Sequence, residues 1–504
     1  LKCKARHCIC GHAQEHFGKS YSPTIRKMSV RMICAMSARL NLALFSFDFK
    51  NAFLNATLGE PECLIPPREF AMSSGDPELA NGSFILKLVK AIHGMTQCSL
   101  EWSNTLAKVL DRFEFEGTKL KRLLTDRCAW VWRNQNGKML TMGTHVDDTL
   151  MGCNHQDLQD ALMAHIRENF PVQDYEPVSC FLSVGMKQNM ENGTVVLDQK
   201  GAVDGLVQEL GISKCHKKVP LPPGAKVLPF EGKSSDSFRK QHQSKVAKAI
   251  YLQGCNPSIA QAVSKLASVA CNPGPQHMKL LDNHLLPFLN KPQTGGNGIR
   301  FSRQSCHSDK NGKDPAFDEK GNISKKCSTK DFKLQAWVDA NFIEDFIDCK
   351  CRGGVMIRMV GGPLECMSKK QPLTASHTQE AEHIEMAIGQ TKAKSAINFL
   401  IECGFPANDP IPTFEDNMAA CKLATEHINT SRSKHMPLQC HIVKENVMKD
   451  KIFSVFWCPT EWQLADMFTK SLSAQKFEEL DEHVRGHRDR DFEGTCTFIE
   501  PGVW

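Results

Sequence analysis

Thr144-His145-Val146-Asp147-Asp148-Thr149-Leu150-Met151-Gly152 is the segment that decides the fold, because it places two adjacent carboxylates between two apolar runs. The flanking runs, 139–145 and 150–153, have the composition of β-strands, so the segment predicts a hairpin with Asp147 and Asp148 at its tip. A third carboxylate, Asp48, ends the apolar run 42–47. The pattern predicts one site built from a strand-end aspartate and an Asp-Asp hairpin.

Three carboxylates of this kind suit a centre that holds two divalent cations. Such a pair of cations can activate an attacking 3′-oxygen and stabilise a leaving pyrophosphate, which is the chemistry of nucleotidyl transfer in a polymerase palm. The alternative is an ordinary solvated turn, because Asp-Asp pairs occur in many loops. The rest of the sequence has to decide between these two interpretations.

The composition is that of a globular protein. The chain has 504 residues, of which 41% are hydrophobic and 23% charged, and the usual domain size predicts roughly three domains. The net charge of +6 is compatible with a nucleic-acid partner without requiring one. No window has the ~18 apolar residues of a membrane span, so no membrane partner is predicted. The basic start lacks the apolar region of a signal peptide, and without an initiator Met we expect a fragment or a piece of a longer polyprotein.

The 22 cysteines form no recognisable disulfide or zinc framework. Disulfide frameworks belong to short secreted chains. The close pairs Cys8-Ile9-Cys10 and Cys349-Lys350-Cys351 lack the two-residue gap of a zinc ribbon. The cluster His7-Cys8-Ile9-Cys10-Gly11-His12 stays open as a metal-site alternative. We expect reduced, mostly buried thiols.

Residues 20–215 have a mixed α/β pattern. The predicted strands are 42–47, 84–88, 139–145, 150–153 and 194–197, and the predicted helices are 29–38, 99–113 and 155–169. The run Pro220-Leu221-Pro222-Pro223-Gly224 marks a boundary, because it cannot continue a helix or a central strand. Residues 225–300 are predicted to be mainly helical, and the polar residues 302–333 to form a linker.

A second α/β unit is predicted from Leu334 onward. Its predicted elements, in order, are strand 336–339, the strands 355–360 and 364–367 joined at Gly361-Gly362, helix 378–403, strand 413–414, a helix from Asn417, helix 441–449, strand 452–457 and a last helix with 463–468.

This unit repeats the carboxylate pattern of the first. Asp339 lies on the first strand, Glu380 in the first turn of the long helix, Asp416 after the next strand, and Asp466 in the terminal helix. Four such carboxylates suit a two-metal nuclease that binds Mg²⁺ or Mn²⁺ around a phosphate. Each has a plainer alternative: Glu380 can complement the helix dipole, and Asp416 can be an N-cap.

A series of short motifs in fixed order resembles the reverse transcriptase and ribonuclease H region of copia-type LTR retrotransposon Pol polyproteins. The resemblance covers residues 20–475. In the first part its motifs are Asp48-Phe49-Lys50-Asn51-Ala52-Phe53-Leu54-Asn55, Pro66-Pro67-Arg68-Glu69-Phe70, Gly94-Met95-Thr96-Gln97-Cys98-Ser99-Leu100-Glu101-Trp102, His145-Val146-Asp147-Asp148, Phe181-Leu182-Ser183-Val184-Gly185 and Leu221-Pro222-Pro223-Gly224. In the second part they are Ser368-Lys369-Lys370-Gln371-Pro372, Glu380-Ala381-Glu382, Asp416-Asn417, Ser431-Arg432-Ser433-Lys434-His435 and Pro459-Thr460-Glu461-Trp462-Gln463-Leu464-Ala465-Asp466.

The resemblance implies an α/β (α+β) fold with reverse transcriptase palm and fingers, a helical thumb or connection, and a ribonuclease H-like α/β domain. The implied boundaries are 1–215 for truncated fingers and palm, 216–301 for the thumb or connection, 302–333 for the linker, 334–480 for the ribonuclease H-like domain and 481–504 for a tail.

It also implies roles for the candidate residues. Asp48, Asp147 and Asp148 would bind the polymerase metals, and Asp339, Glu380, Asp416 and Asp466 those of the ribonuclease H. In the substrate site, Phe53 would be the steric gate that crowds a 2′-hydroxyl, Gln97 would contact the incoming nucleotide, and His145 would lie under the primer end. Without the resemblance, we would predict that Phe53 is an ordinary core residue.

The implied cofactor is Mg²⁺ or Mn²⁺. The implied partners are an RNA template, a DNA primer, an RNA–DNA hybrid and dNTPs, together with other Pol products such as integrase. The implied location is the cytoplasm or nucleus, in virus-like particles where the element is active.

Four positions depart from the family pattern. His93, His145, His383 and Cys440 stand where the family usually has Tyr. Two alternatives therefore stay open beside the active enzyme. One is a catalytically inactive remnant that binds nucleic acid, and the other is a stand-alone ribonuclease H whose palm is only a scaffold.

Overall fold

The computed structural model describes residues 8–14, 20–65, 85–212, 217–291, 298–306, 314–345, 348–426, 438–490, 492 and 494–502. The motifs at 66–70 and 431–435 lie outside the described residues. The chain divides into two compact units. Unit 1 consists of Leu1–Val30, Phe45–Asn134 and Lys138–Pro177, and unit 2 of Arg31–Leu44, Gln135–Gly137 and Val178–Trp504.

Unit 1 is built on a six-stranded sheet. The first helix of the chain, α1, is Lys27–Leu40, and the helices that pack in unit 1 are α2 (Cys98–Leu110) and α3 (Gln156–Asn169). The strands are β1 (Ala43–Asp48), β2 (Thr57–Leu64), β3 (Leu86–Lys90), β4 (Glu114–Phe115), β5 (Thr118–Lys119), β6 (Lys121–Arg122), β7 (Ala129–Arg133), β8 (Met139–His145), β9 (Asp148–Cys153) and β10 (Glu176–Pro177). The sheet order is β10-β1-β9-β8-β7-β6, with β2-β3 and β4-β5 as separate pairs.

The two central strands of this sheet are almost wholly buried, because helices cover them. Strand β8 is buried at six of its seven positions and β9 at five of its six. Helix α2 contributes Trp102 and Leu106 to the core beside them, and α3 contributes Leu158 and Leu162. Helical spacing of these apolar residues gives each helix one face that packs on the sheet.

Unit 2 contains two sheets and most of the helices. Its helices are α4 (Lys200–Leu210), α5 (Asp236–Leu252), α6 (Ala260–Ser268), α7 (Pro275–Leu280), α8 (Leu286–Leu289), α9 (Thr378–Glu402), α10 (Met418–Thr425), α11 (Leu438–Lys444), α12 (Asp466–Thr469) and α13 (Ala474–Val484). Its strands are β11 (Cys180–Phe181), β12 (Val184–Asn189), β13 (Thr194–Asp198), β14 (Ile299–Ser302), β15 (Gln335–Asp345), β16 (Lys350–Met359), β17 (Gly362–Lys370), β18 (Ile411–Glu415), β19 (Phe453–Trp457) and β20 (Thr497–Ile499).

The larger sheet of unit 2 has the order β17-β16-β15-β18-β19-β20. Strands β15, β18 and β19 are parallel, whereas β16, β17 and β20 pair antiparallel at the edges. The smaller sheet is an antiparallel meander in the order β11-β12-β13-β14. In the larger sheet, Trp337 of β15 and Phe414 of β18 are paired in register, and their fully buried rings stack at 4.1 Å between centroids.

The mixed α/β class predicted from the sequence is confirmed. Strand β8 has the predicted ends, and the long helix α9 ends one residue before its predicted end. The strands β7 and β12 were not predicted. The finer domain boundaries, including the linker 302–333, stay predictions; within that segment Ala316, Ile323 and Phe332 are buried.

The described cysteines are not in disulfide bonds, and most of them are buried. Burial raises the pKa of the Cys34 thiol to about 12, and that of Cys128 also to about 12. Among the described helices, none combines the length and the hydropathy that crossing a bilayer requires.

Replacing Trp337 by Ala should destabilise the chain by roughly 3–5 kcal/mol, because the side chain is fully buried and its stacked partner Phe414 would face a cavity. The measurement is the midpoint of urea unfolding. Phe498→Ala is the control, since Phe498 is 47% exposed on the edge strand β20. Equal shifts for the two variants would contradict a core centred on β15 and β18.

Candidate metal centres

The Asp-Asp hairpin has a strained and well-supported turn. Strands β8 and β9 pair from Leu140 with Cys153 to His145 with Asp148, which leaves a two-residue turn of Val146 and Asp147. Val146 has φ +57°, an uncommon value for a β-branched residue. Trp102 Nε1 donates a hydrogen bond of 2.6 Å to the Val146 carbonyl oxygen. Strain of this kind persists where the surroundings hold it in place, as they often do at functional sites.

Asp48 lies beside this turn. It is the last residue of β1, which is the neighbour of β9 in the sheet. The Phe49 amide donates to the Asp147 carbonyl oxygen at 3.0 Å, and Gln173 Nε2 donates to Asp48 Oδ2 at 3.3 Å. The structure therefore brings Asp48 to the same sheet end as Asp147 and Asp148.

The hairpin carboxylates influence each other. Asp147 is exposed and Asp148 half-buried. Burial raises the pKa of Asp148 above its ordinary value, the charge of Asp147 raises it further, and His145 opposes the rise. A cation close to this pair would be stabilised by both carboxylates.

The predicted substrate residues lie in the same unit. Phe53 is half-buried in the 3₁₀ turn Ala52–Asn55, with its ring edge-on to His93 at 5.1 Å between centroids. Gln97 is buried at the start of α2 and donates to Glu62 Oε1 at 2.8 Å, while its own Oε1 accepts from Gln14 at 2.9 Å. The contact of Gln97 with a nucleotide stays a prediction.

The second centre gathers three of its four predicted carboxylates. Ligand oxygens of Asp339, Asp416 and Asp466 all lie within 4.8 Å of one another. Asp339 is on the central strand β15, Asp416 follows the parallel strand β18, and Asp466 begins α12. Asp339 and Asp466 are fully buried. The neighbouring strands β15 and β18 and the start of helix α12 thus bring these charges together in the interior of unit 2.

Glu380 is not among the carboxylates that are brought together. Its Oε2 accepts a hydrogen bond of 2.7 Å from the Ser376 amide, at the start of α9. Two residues further on, Glu382 lies with Glu415 and Asp416 in a second group whose ligand oxygens are within 4.8 Å of one another. Residues three or four positions apart share a face of a helix, whereas residues two positions apart do not. Glu380 and Glu382 therefore cannot both face Asp416.

Two lysines face the buried aspartates. Lys470 Nζ lies 3.1 Å from Asp339 Oδ1 and also forms an ion pair with Asp466, which Lys476 contacts as well. Thr469 donates its hydroxyl to Asp339 Oδ2. Burial would lower the pKa of Lys470, but the charges of Asp339 and Asp466 raise it above its ordinary value, so the lysine is cationic.

Burial raises the pKa values of Asp339, Glu382 and Glu415 above their ordinary values. Burial raises the pKa of Asp339 to about 6, with Asp466 adding to the rise and Lys470 opposing it. Burial also raises the pKa values of Glu382 and Glu415, and the charge of Glu415 adds to the rise for Glu382 whereas that of Asp416 adds to the rise for Glu415. Among the described residues, Glu382 Oε2 and Glu415 Oε2 are buried oxygens without a hydrogen-bond partner.

These features fit a divalent cation with oxygen ligands. Hard cations such as Mg²⁺ bind carboxylate oxygens, and a buried carboxylate oxygen without a donor is stabilised by such a charge. The residues that would hold it are Asp339, Asp416 and Asp466, with Glu382 beside them. In unit 1, Asp48, Asp147 and Asp148 do not form a comparable group with all ligand oxygens within 4.8 Å among the described residues.

Sequence reasoning missed Glu382, Glu415, Lys470 and Lys476. A signal was present for Lys470, because it follows Asp466 by four positions, the spacing of ion pairs on a helix. Glu415 directly precedes Asp416, and Glu382 lies in the same motif as Glu380, which is Glu380-Ala381-Glu382. The choice between Glu380 and Glu382 depends on how α9 packs.

The sequence comparisons find a family similar to the first part of the chain. Residues 1–222 match the family model described as reverse transcriptase (RNA-dependent DNA polymerase). This part of the chain is therefore similar to the reverse transcriptase family, in agreement with the Asp-Asp hairpin and its neighbouring strand-end aspartate.

The relatives are transposon polyproteins. The chain is 25% identical over 480 residues to the retrovirus-related Pol polyprotein from transposon RE1 of Arabidopsis thaliana, covering 94% of this chain and 30% of the relative. It is 24% identical over 498 residues to the Pol polyprotein from transposon TNT 1-94 of Nicotiana tabacum, covering 97% of this chain and 34% of the relative. The chain spans about a third of the length of these relatives. The resemblance to copia-type Pol polyproteins is confirmed.

Glu385 gives a pH-dependent prediction. Its pKa is raised to about 7, mainly by burial, from the ordinary value of 4.5 that applies in the unfolded chain. The folded state therefore binds the extra proton between these values, and stability falls as pH rises from about 4.5 to about 7. Glu385→Gln should make this fall in the free energy of unfolding smaller by roughly 1–3 kcal/mol, because the amide does not ionise.

The measurement is the free energy of unfolding at pH 5 and pH 8. Glu479→Gln is the matched control, because Glu479 is exposed on α13 and should leave the pH dependence unchanged. A parent and a Glu385→Gln variant with parallel pH profiles would contradict the buried, proton-binding state of this carboxyl.

Proposed function

We propose that the chain is an RNA-directed DNA polymerase with ribonuclease H activity, as part of a copia-type Pol polyprotein. Unit 1 carries DNA synthesis and unit 2 cuts the RNA strand of an RNA–DNA hybrid. The observation that carries the first activity is the position of Asp48 beside the Asp147–Asp148 hairpin, within the residues that match the reverse transcriptase model. The second activity is supported by the convergence of Asp339, Asp416 and Asp466.

In the proposed polymerase site, the carboxylates of Asp48, Asp147 and Asp148 bind Mg²⁺ or Mn²⁺. Two such cations supply activation of the primer 3′-oxygen and charge stabilisation on the leaving pyrophosphate. The Trp102 hydrogen bond to Val146 keeps the hairpin tip in its strained form, so the two aspartates are held in place before substrate binds. Preorganisation of this kind lowers the reorganisation cost of the reaction.

Phe53 and Gln97 are proposed to shape the nucleotide site of unit 1. The Phe53 ring is fixed edge-on to His93, which gives it the rigidity that a steric gate against a 2′-hydroxyl needs. Gln97 is fixed by Glu62 and Gln14 and would have to exchange one of these contacts for the nucleotide. The template is RNA or DNA, the primer is DNA, and the substrates are dNTPs.

In the proposed nuclease site, Asp339, Glu382, Asp416 and Asp466 would hold the divalent cations that activate the scissile phosphate for cleavage. We assign Glu382 the role that the sequence resemblance gave to Glu380, because Glu382 lies next to Asp416. Lys470 and Lys476 balance the charge of Asp339 and Asp466. Thr469 fixes the second oxygen of Asp339, which orients the carboxylate.

Asp416→Asn should abolish cutting of RNA in a hybrid and leave DNA synthesis at the parent level, since the two activities use separate carboxylates. Asp147→Asn should do the reverse. The measurements are gel assays of hybrid cleavage and of primer extension in Mg²⁺ and in Mn²⁺. Loss of both activities in either variant would contradict two independent centres, and a parent with neither activity would favour the inactive remnant.

Glu382→Gln should reduce hybrid cleavage at least tenfold, whereas Glu380→Gln should reduce it less, because Glu380 accepts a local backbone hydrogen bond instead of facing Asp416. The comparison is made under single-turnover conditions, with unfolding midpoints measured for both variants. A stronger loss for Glu380→Gln would restore the assignment predicted from the sequence.

His145→Tyr should raise primer extension, because Tyr restores the larger ring that the family usually has beside the Asp-Asp pair. His145 pairs with Asp148 at the end of the hairpin, where a change in the side chain reaches the carboxylates directly. Hybrid cleavage by the same variant is the internal control and should not change. A variant that extends primers no better than the parent would assign any weakness to other parts of unit 1.

A further inference from the structure

Two cysteines lie opposite each other at one end of the strand pair β19–β20 in unit 2. These strands are antiparallel, and Trp457 of β19 is paired with Thr497 of β20. Cys458 directly follows β19, and Cys496 directly precedes β20. Continuing the register of the two strands by one residue therefore pairs Cys458 with Cys496.

The backbone decides which kind of cross-strand pair these cysteines form. The Cys458 amide donates at 2.8 Å to the carbonyl oxygen of Glu415 on β18, which lies on the side of β19 away from β20. The hydrogen-bonding groups of Cys458 are thus turned away from β20, so Cys458 and Cys496 are a non-hydrogen-bonded pair. In such a pair the opposite Cα atoms lie about 4.5 Å apart, within the roughly 4.4–6.8 Å that a disulfide spans.

The two thiols are already in contact, because the side chains of Cys458 and Cys496 share a hydrogen bond. This hydrogen bond lowers the pKa of the Cys496 thiol below its ordinary value. A lower pKa gives more thiolate, which is the reactive form of cysteine. Cys496 is 9% exposed whereas Cys458 is fully buried, so a small oxidant from the solvent meets Cys496 first.

Packing holds Cys496 in place as firmly as the sheet holds Cys458. The Cys496 amide donates at 2.9 Å to the carbonyl oxygen of Phe492. The buried ring of Phe492 lies edge-on against Trp337, with 4.8 Å between the ring centroids. Both cysteines are thus fixed to the core of the larger sheet, and a bond between them requires little movement of the backbone.

We propose that Cys458 and Cys496 form a reversible disulfide that fixes residues 459–495 of unit 2 under oxidising conditions. The loop that this bond closes contains Asp466 and Lys470 of the candidate nuclease centre. A disulfide stabilises the folded state by restricting the unfolded chain, and the effect grows with the length of the closed loop. The oxidised protein therefore keeps Asp466 in place at temperatures at which the reduced protein unfolds. This consequence for cutting rests on the proposed nuclease function, whereas the disulfide itself does not.

The oxidation has two steps, with hydrogen peroxide as the oxidant. The Cys496 thiolate attacks one peroxide oxygen and the O–O bond breaks; the departing hydroxide takes up the proton that Cys496 released, which gives water and a sulfenic acid. The Cys458 sulfur then attacks the Cys496 sulfur, the S–O bond breaks, and the hydroxyl leaves with the Cys458 proton as a second water. Two electrons pass from the sulfurs to the peroxide. A small thiol reverses the bond by exchange and is itself oxidised to a disulfide.

The test is peptide mapping after mild oxidation. The protein is treated with a small excess of hydrogen peroxide, the remaining thiols are alkylated in denaturant, and a tryptic digest is analysed by mass spectrometry without reduction. Cleavage after Lys451, Lys470 and Arg490 leaves Cys458 and Cys496 on separate peptides with one cysteine each. The expected result is a linked pair of these two peptides that disappears with dithiothreitol. Absence of the linked pair would overturn the proposal.

Oxidation should also raise the thermal unfolding midpoint of the parent by roughly 5 °C or more, and dithiothreitol should reverse the rise. Cys496→Ser should lose both the linked peptides and this rise. The matched control Cys271→Ser removes an exposed thiol from the same unit and should keep both. An unchanged midpoint in the oxidised parent, or a rise that persists in Cys496→Ser, would overturn the proposal. The comparison of the oxidised with the reduced parent needs no variant, so it decides the matter even where Cys496→Ser is unstable.

Hybrid cleavage separates this proposal from that of the nuclease. At a temperature between the midpoints of the reduced and the oxidised parent, the oxidised protein should keep the cleavage that the reduced protein loses. A protein that forms the disulfide, gains stability and never cuts a hybrid would support the disulfide and remove the nuclease. Equal heat inactivation of the two forms of a cutting protein would support the nuclease and overturn the stabilising role of the disulfide.

Discussion

Burial of negative charge is the constraint on which the chemistry of unit 2 depends. Asp339 and Asp466 are fully buried, and an isolated carboxylate in such surroundings is too costly to stay ionised. Lys470 and Lys476 face these aspartates, and their charge allows strand β15 and the start of the short helix α12 to bring two carboxylates to one point. Removing one partner of such a group leaves the other buried and uncompensated, which costs more than the pair itself contributes.

Unit 1 places its carboxylates under a different constraint. Asp147 is exposed and Asp148 half-buried at the tip of a hairpin, where solvent reduces the repulsion between them. The energetic cost of this arrangement lies instead in the backbone, since Val146 has a left-handed conformation that β-branched residues avoid. The Trp102 hydrogen bond stabilises that conformation from the core of the unit. The two centres thus keep carboxylates together by electrostatic compensation in one unit and by backbone geometry in the other.

Much of the fold could be predicted from the sequence where periodicity was strong. Strand β8 and helix α9 have long apolar patterns that local physics already specifies. Strand β12, which contains Lys187, Gln188 and Asn189, has little apolar pattern and forms because β11 and β13 pair with it. Such a strand depends on its neighbours, so its own sequence does not reveal it.

The candidate sites also contain some residues that the sequence pattern predicts and others that only the packing identifies. Asp48 and Asp339 could be predicted because a carboxylate that follows an apolar run is visible in the sequence, and the structure places Asp48 at the end of β1 and Asp339 within β15. Glu382 could not be distinguished from Glu380, because every residue from Glu380 to Met386 is buried in α9 and amphipathicity gives no direction. Only the packing of the helix on the sheet decides which carboxylate faces Asp416.

The double position of Lys470 has a thermodynamic consequence. One ammonium group both balances Asp339 and Asp466 and borders a cleft that is also lined by Lys226, Lys265, Lys350, Arg352 and Lys370. A divalent cation among those aspartates would release part of the attraction on Lys470 and leave its charge available to the cleft. Linkage is reciprocal, so an anion in the cleft that draws Lys470 away would tighten the hold of the aspartates on the cation by the same factor. Ligands of opposite sign would then bind cooperatively through a single side chain, without a change in the backbone.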